Sequence, residues 1–410
     1  MAGEKLKAPR GTFDVLPGDG ERRRRLGAAA DELLGAAGYG AFDTPIFEHT
    51  ELFARGVGET TDIVQKEMFT FEDMGGRSLT LRPEGTAPTV RAYLEHGMHK
   101  WPQPVKLRYN GPFFRHEAPQ AGRYRQFTQI GAEAIGSDDP SLDAELIVLL
   151  HELIQGQGAQ GVRLRVGSLG TPQTRREYSD ELRAYLKRNE SELSEEVRAR
   201  MEANPLRAFD SDHRGTQAVM ENAPRLLDRI ADDDAEHFQA VREMLDAAGV
   251  PYEVDPTLVR GLDYYTRTVW EFTSDALGAQ SGVAGGGRYD LLAEQLGGPH
   301  VPGVGWAAGV ERILLAAGAG DEARSRVDVF IASERGITAA EFKFLNDLRG
   351  SGKRALMEQA GRSLKGQLKQ ADRVGAAKVV IVTPDEVRVR DMETGQTQTV
   401  DTLEDAAELL

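Results

Sequence analysis

The sequence predicts an α+β protein, in which an antiparallel sheet core is split by a helical insertion and followed by a small C-terminal α/β domain. Three observations carry this expectation. β-rich segments at 68–72, 78–82, 105–114 and 124–133 follow one another at hairpin spacing, with no helical period separating them as a parallel sheet would require. From 171 to 249 the pattern changes to long helical stretches rich in Glu and Arg, broken at Asn204-Pro205 and Ala223-Pro224. Beyond 327, strand and helix patterns alternate in short units.

Taken in order, residues 1–170 form the first part of the core. A helix near 20–37 opens it, with Leu26, Ala29, Leu33 and Leu34 as the apolar stripe and the arginine run 22–25 as a solvated face. The strands follow, and a helix near 143–156 closes the segment. The insertion spans 171–250. The core resumes over 251–320, where glycine-rich β patterns occupy 259–272, 279–289 and 303–313. A small-residue linker at 316–320 leads to the C-terminal unit, 325–410. Its pattern is a strand at 327–331, helices at 338–349 and 362–374, strands at 378–382 and 387–390, and a last helix from Thr402.

Composition narrows the function. A chain of 410 residues exceeds what one hydrophobic core organises, so two or three domains are expected. No apolar run approaches the roughly 20 residues that cross a bilayer, and the N-terminal segment lacks the apolar stretch of a signal peptide, which predicts a cytoplasmic protein with no membrane partner. The absence of cysteine excludes disulfides, thiolate zinc sites and thiol nucleophiles. A net charge of −15 argues against indiscriminate coating of nucleic acid, which Lys and Arg drive by releasing counterions.

Several constellations combine arginine with glycine or with a carboxylate. Phe114-Arg115-His116-Glu117 and the loop bearing Arg123 and Arg125 would hold planar guanidinium forks over a hairpin, a geometry suited to phosphate oxygens. An ordinary cationic rim explains a single such turn equally well. Arg260-Gly-Leu-Asp-Tyr-Tyr265 and Gly285-Gly-Gly-Arg-Tyr-Asp290 place arginine and tyrosine, which need polar partners when buried, beside glycines that permit close approach of a ligand or mark a bulge. Gly303-Val-Gly-Trp-Ala-Ala-Gly-Val-Glu-Arg312 reads as a small-residue strand leading into a helix that carries Arg312. In Thr80-Leu-Arg-Pro-Glu-Gly-Thr86, Glu84 and Thr86 suit an ammonium group, or they open a helix.

Together these stretches resemble the class II aminoacyl-tRNA synthetases and, within them, the histidyl-tRNA synthetases. Residues 38–46, with Pro45 ending a strand, are similar to motif 1; 114–129 to motif 2; 303–312 to motif 3; and 260–265 with 286–290 to the two histidine signatures. The resemblance implies a class II sheet core with an anticodon-binding C-terminal domain, and activation of histidine by ATP followed by transfer to the 3′ end of its tRNA. Mg2+ would accompany the phosphates, and a homodimer would form through motif 1. By the same resemblance Arg115 and Arg260 meet the α-phosphate, while Arg123 and Arg312 meet the outer phosphates. Glu84 and Thr86 take the ammonium of histidine, and Gln129, Glu133, Tyr264 and Tyr265 form the side-chain pocket, with Glu133 accepting an imidazole N–H. Gln120 is implied as a contact to the tRNA acceptor end.

One feature adds to this from periodicity alone. On a wheel from 362 to 374, Arg362, Lys365, Lys369 and Arg373 share one side and Leu364, Leu368, Ala371 and Val374 the other, a cationic stripe suited to RNA. Two non-catalytic relatives compete with the enzyme: a regulatory subunit of ATP phosphoribosyltransferase, and a module that senses uncharged tRNA. The first family characteristically lacks the C-terminal domain, and a sensor has no use for all four arginines.

Overall fold

The computed structural model describes residues 5–59, 61–258, 260–278, 281–318 and 327–410. The chain divides into two compact units, Met1–Ala319 and Gly320–Leu410. In the first, an eight-stranded sheet runs in the order Gly40–Ala41, Val105–Phe114, Gln126–Ile135, Gly303–Gly309, Gly282–Arg288, Thr266–Ser274, Val162–Ser168, Glu253–Val254. Its interior pairs are all antiparallel, and only the two short edge strands pair in parallel.

Strand alternation sends successive side chains to opposite faces. On one face Ala132, Trp270, Phe272 and Trp306 meet the apolar stripes of the helices Pro17–Ala36, Pro140–Gly156, Asp232–Ala247 and Val310–Ala316, through Leu26, Leu146, Leu150, Val241 and Ile313. Helix Asp232–Ala247 thus packs on the core although the sequence grouped it with the insertion. The helical pattern of its residues says nothing about which partner they bury against. On the opposite face Leu107, Val269 and Tyr289 join Tyr178, Leu182 and Leu186 of helix Pro172–Arg188 in a second core. Gln129 and Glu133, two of the candidate site residues, lie on this second face.

Three expectations change. The segments 68–72 and 78–82 do not join the large sheet: Phe69–Glu72 and Ser78–Leu81 pair with Phe47–His49 in a three-stranded sheet of their own. The strand of the motif 1 stretch stops at Ala41, well short of Pro45, because only Gly40 and Ala41 find ladder partners, Leu107 and Arg108. Residues 260–265 are a loop, and the strand expected over 259–272 starts at Thr266.

The second unit carries a five-stranded sheet in the order Ala355–Met357, Val329–Ser333, Lys378–Val382, Val387–Asp391, Thr397–Val400, the first three parallel and the rest antiparallel. Helices Ala339–Gly350 and Leu403–Glu408 cover one face through Phe344, Leu345, Leu348 and Ala406. Helix Leu364–Arg373 covers the other through Leu364, Leu368 and Ala371. As the wheel predicts, Lys365, Lys369 and Arg373 remain exposed. Arg362 departs from the stripe: it precedes the helix, and its guanidinium is bonded to Glu358 at 3.2 Å.

Candidate active site

One cavity in the first unit is lined by Glu84, Thr86, Arg115, Glu117, Arg123, Gln129, Arg260, Tyr264, Tyr265, Glu271, Glu311 and Arg312, among others. Its residues come from segments far apart in the chain: the start of helix Thr86–Glu95, the hairpin of strands Val105–Phe114 and Gln126–Ile135, the loop 260–265, and the junction of strand Gly303–Gly309 with helix Val310–Ala316.

Two chains of contacts organise it. In the first, Arg115 donates Nε to the Pro83 carbonyl at 2.9 Å and stacks its guanidinium over Phe127 at 5.5 Å. Arg115 Nη1 lies 3.9 Å from Glu117, which accepts from Arg123 at 3.2 Å. Arg312 is close enough to Arg123 that, after burial, the neighbouring positive charge is the next cause lowering its pKa. Like charges held together in this way make a ready receptor for a polyanion.

In the second, Tyr264 donates to Glu84 at 3.3 Å, and its ring meets that of Tyr265 edge to face at 4.8 Å. Arg260 donates to Glu271 at 2.8 Å. Burial, the largest influence on Arg260, lowers its pKa, but Tyr265 and Glu271 outweigh it and the guanidinium stays charged. Gln129 presents a buried side-chain oxygen with no hydrogen-bond partner among the described residues.

Glu84 is engaged before any ligand arrives. It accepts from the backbone N–H of Thr86 at 2.8 Å and of Ala87 at 3.0 Å, the contacts of the helix-start reading of this motif. Burial raises its pKa, opposed by those two N–H groups and by Arg115.

Glu133 lies outside the cavity lining and is 0% exposed. Its carboxylate accepts from Tyr289 at 2.7 Å, Thr86 at 2.8 Å and Tyr109 at 3.3 Å. Thr86 is on the wall, so one hydroxyl links the cavity to Glu133. Strand Gln126–Ile135 thus carries Glu133 just beneath the wall, behind Thr86. Burial pushes its pKa up to about 8, against the hydrogen bonds from Tyr289 and Thr86. A Cβ at Gly305 would come within 1.7 Å of its oxygen, so glycine there makes room for the carboxylate. The glycine triplet is also occupied by the protein itself. A Cβ at Gly285 would meet Arg260 at 2.6 Å, and one at Gly286 would meet Trp270 and Trp306, each at 2.7 Å.

Gln120 is exposed and off the cavity, bridged to Arg123 through mutual backbone hydrogen bonds at the hairpin tip. Sequence reasoning missed Glu271 and Glu311 as cavity residues. Glu311 precedes Arg312 and accepts from Arg23 at 2.8 Å and from the Thr128 N–H at 3.0 Å, a role that adjacency to the motif 3 arginine alone could have flagged. Arg288, placed in a signature, is not on the cavity at all.

A family model described as Histidyl-tRNA synthetase matches residues 11–313. The chain is 48% identical to the histidine–tRNA ligase of Rubrobacter xylanophilus, with 96% of each chain covered. It is 47% identical to that of Halothermothrix orenii, over 95% of this chain and 96% of the relative. Among solved structures it is similar to the apo histidyl-tRNA synthetase of S. aureus, with a TM-score of 0.80, 37% identity and 99% of both chains covered.

Proposed function

Because the chain belongs to the histidyl-tRNA synthetase family, we infer that its cavity joins histidine to ATP and passes the activated amino acid to tRNA. The observation that carries this reading is the convergence of Arg115, Arg123, Arg260 and Arg312 on one cavity with Glu84, Thr86, Gln129, Tyr264 and Tyr265. In the first step a carboxylate oxygen of histidine attacks the α-phosphorus, the bond from that phosphorus to the bridging oxygen breaks, and pyrophosphate leaves. In the second, a hydroxyl of the terminal tRNA ribose attacks the acyl carbon and AMP leaves.

Negative charge shifts among phosphate oxygens throughout the first step, so fixed cations are the main requirement. Arg115 and Arg260 take the α-phosphate. Arg123 and Arg312, the mutually repelling pair, take the outer phosphates and the departing pyrophosphate. Magnesium, when bound, supplies further neutralisation, and Glu117 and Glu271 are the cavity carboxylates that would hold it beside phosphates and water.

At the other end, Glu84 and Thr86 receive the ammonium of histidine. Gln129, with its unused oxygen, and the two tyrosines bracket the imidazole, and Glu133, just beneath the cavity wall, accepts a ring N–H. A pocket that hydrogen-bonds a polar ring rejects apolar isosteres far better than a hydrophobic one does. The exposed stripe of Lys365, Lys369 and Arg373 serves the tRNA at its anticodon end, joined by Arg362, whose exposed guanidinium is shared with Glu358, and Gln120 meets the acceptor end. Exposed apolar Ile46, Phe47 and Phe71 support a homodimer at that edge, and a cytoplasmic location follows from the partners. The non-catalytic readings leave the converged arginines without a purpose.

Measuring ATP–pyrophosphate exchange with each of the twenty amino acids tests the assignment. Exchange above background with histidine alone is the expected result. No exchange with histidine, or equal exchange with several amino acids, would refute it.

A further inference from the structure

The loop 260–265 supplies Arg260, Tyr264 and Tyr265 to the cavity, yet it belongs to no helix or strand. Its backbone needs fixing from outside if those side chains are to stand ready for a ligand. The fixing comes from the helical insertion. Arg175 sits in the first turn of helix Pro172–Arg188, which Thr171 caps by accepting from the Thr174 N–H at 3.3 Å. Its Nη1 donates to the Tyr265 carbonyl at 2.9 Å and its Nη2 to the Asp263 carbonyl at 3.4 Å.

Further bonds tie the same two segments. Arg267, just past the loop, receives the Leu169 N–H on its carbonyl at 2.7 Å and donates its own N–H to the Gly170 carbonyl at 3.0 Å. It holds φ at +43°, a left-handed conformation that a long side chain adopts only where its surroundings impose it. Its guanidinium is bonded to the buried Asp234 at 2.8 Å. The loop exit is therefore locked to the chain entering the insertion, and Arg175 reaches from that chain to the loop's two carbonyls.

Arg175 does not line the substrate cavity. It lines a neighbouring one, together with Arg260, Leu262 and Asp263. We propose that Arg175 is a positioning residue, whose two-pronged grip on the Asp263 and Tyr265 carbonyls holds Tyr264 and Tyr265 in the arrangement that binds histidine. Two parallel N–H donors on one planar group suit two carbonyls of the same loop, whereas lysine offers a single charged point. The guanidinium is half-buried, which strengthens its bond to the Tyr265 carbonyl relative to a fully solvated one.

This inference rests on the histidine-activation reading, so wild-type exchange is measured first. Without it that reading fails, independently of Arg175. With it, Arg175→Ala is expected to raise KM for histidine about tenfold, the effect of one charge-assisted hydrogen bond. KM for ATP should stay within about twofold, because Arg115, Arg123 and Arg312 lie off this loop and Arg260, at its start, is held by Glu271 at 2.8 Å rather than by Arg175; Arg175→Lys, which keeps the charge but only at one point, should fall between Ala and wild type. A merely structural residue would not separate the two KM values. Unchanged KM for histidine in Arg175→Ala overturns the proposal. So does a rise in both KM values together, or a Lys variant as impaired as Ala.

Discussion

Replacing Arg260 by alanine is expected to lower the rate of histidine-dependent ATP–pyrophosphate exchange by about 10²–10³, the loss typical of one preorganised electrostatic partner in a dry site. Two effects add. The cation at the α-phosphate is gone, and Glu271, bonded to Arg260 at 2.8 Å, is left facing the phosphates with Arg165 at 3.7 Å as its remaining ion pair among the described residues. A second anion beside the transferring phosphoryl group opposes the charge that the step builds up. Histidine affinity should change little, since Glu84, Thr86, Gln129 and the tyrosines stay in place. Calorimetric titration with histidine and exchange kinetics on the same preparation separate the two quantities. Exchange within threefold of wild type would remove Arg260 from the α-phosphate.

The second large effect is on stability. Arg288 and Asp143 are both 0% exposed and joined at 2.8 Å. Arg288 also donates to Asp290 at 3.1 Å and to the carbonyls of Asp139 at 3.1 Å and Ser137 at 3.3 Å. It thereby fastens the end of strand Gly282–Arg288 to the start of helix Pro140–Gly156. Arg288→Met keeps much of the volume but strands the Asp143 carboxylate, to which, among the described residues, His237 at 3.3 Å is left. Breaking a buried pair from one side costs about 3–5 kcal/mol. The midpoint of urea unfolding should fall accordingly with an unchanged slope. Adding Asp143→Leu should recover part of the loss, because the stranded charge goes too. An unaltered midpoint in the single variant would show that the pair is not needed.

Arg288 also illustrates what the sequence reveals and what it hides. Arginine beside glycine and tyrosine reads alike whether it faces a ligand or a buried aspartate, and Arg115, Arg260 and Arg312 look no different as residue types. Burial separates them, and burial depends on partners remote in the chain. The hairpin of motif 2 was legible because its strands are adjacent and its turn is polar. The strand–helix step ending at Arg312 was legible from small residues giving way to an amphipathic run. Strand Val162–Ser168 escaped notice, since its pattern VRLRVGS follows directly on a helix and pairs with Thr266–Ser274, across the insertion. Glu133 came from the family resemblance; its depth beneath the wall, at 0% exposure, is not something strand alternation shows, because period 2 gives a face and not a depth. For Arg175 no local signal existed: its partners are backbone carbonyls, invisible in any residue pattern.

Guanidinium groups from separate parts of the chain are expected to meet one triphosphate beside a pocket for imidazole. A crystal structure with histidine and a non-hydrolysable ATP analogue tests it most directly. The phosphates should lie within hydrogen-bond distance of Arg115, Arg123, Arg260 and Arg312, and the imidazole should lie between Gln129 and the Tyr264–Tyr265 pair. A nucleotide bound elsewhere, or phosphates pointing away from those arginines, would contradict it.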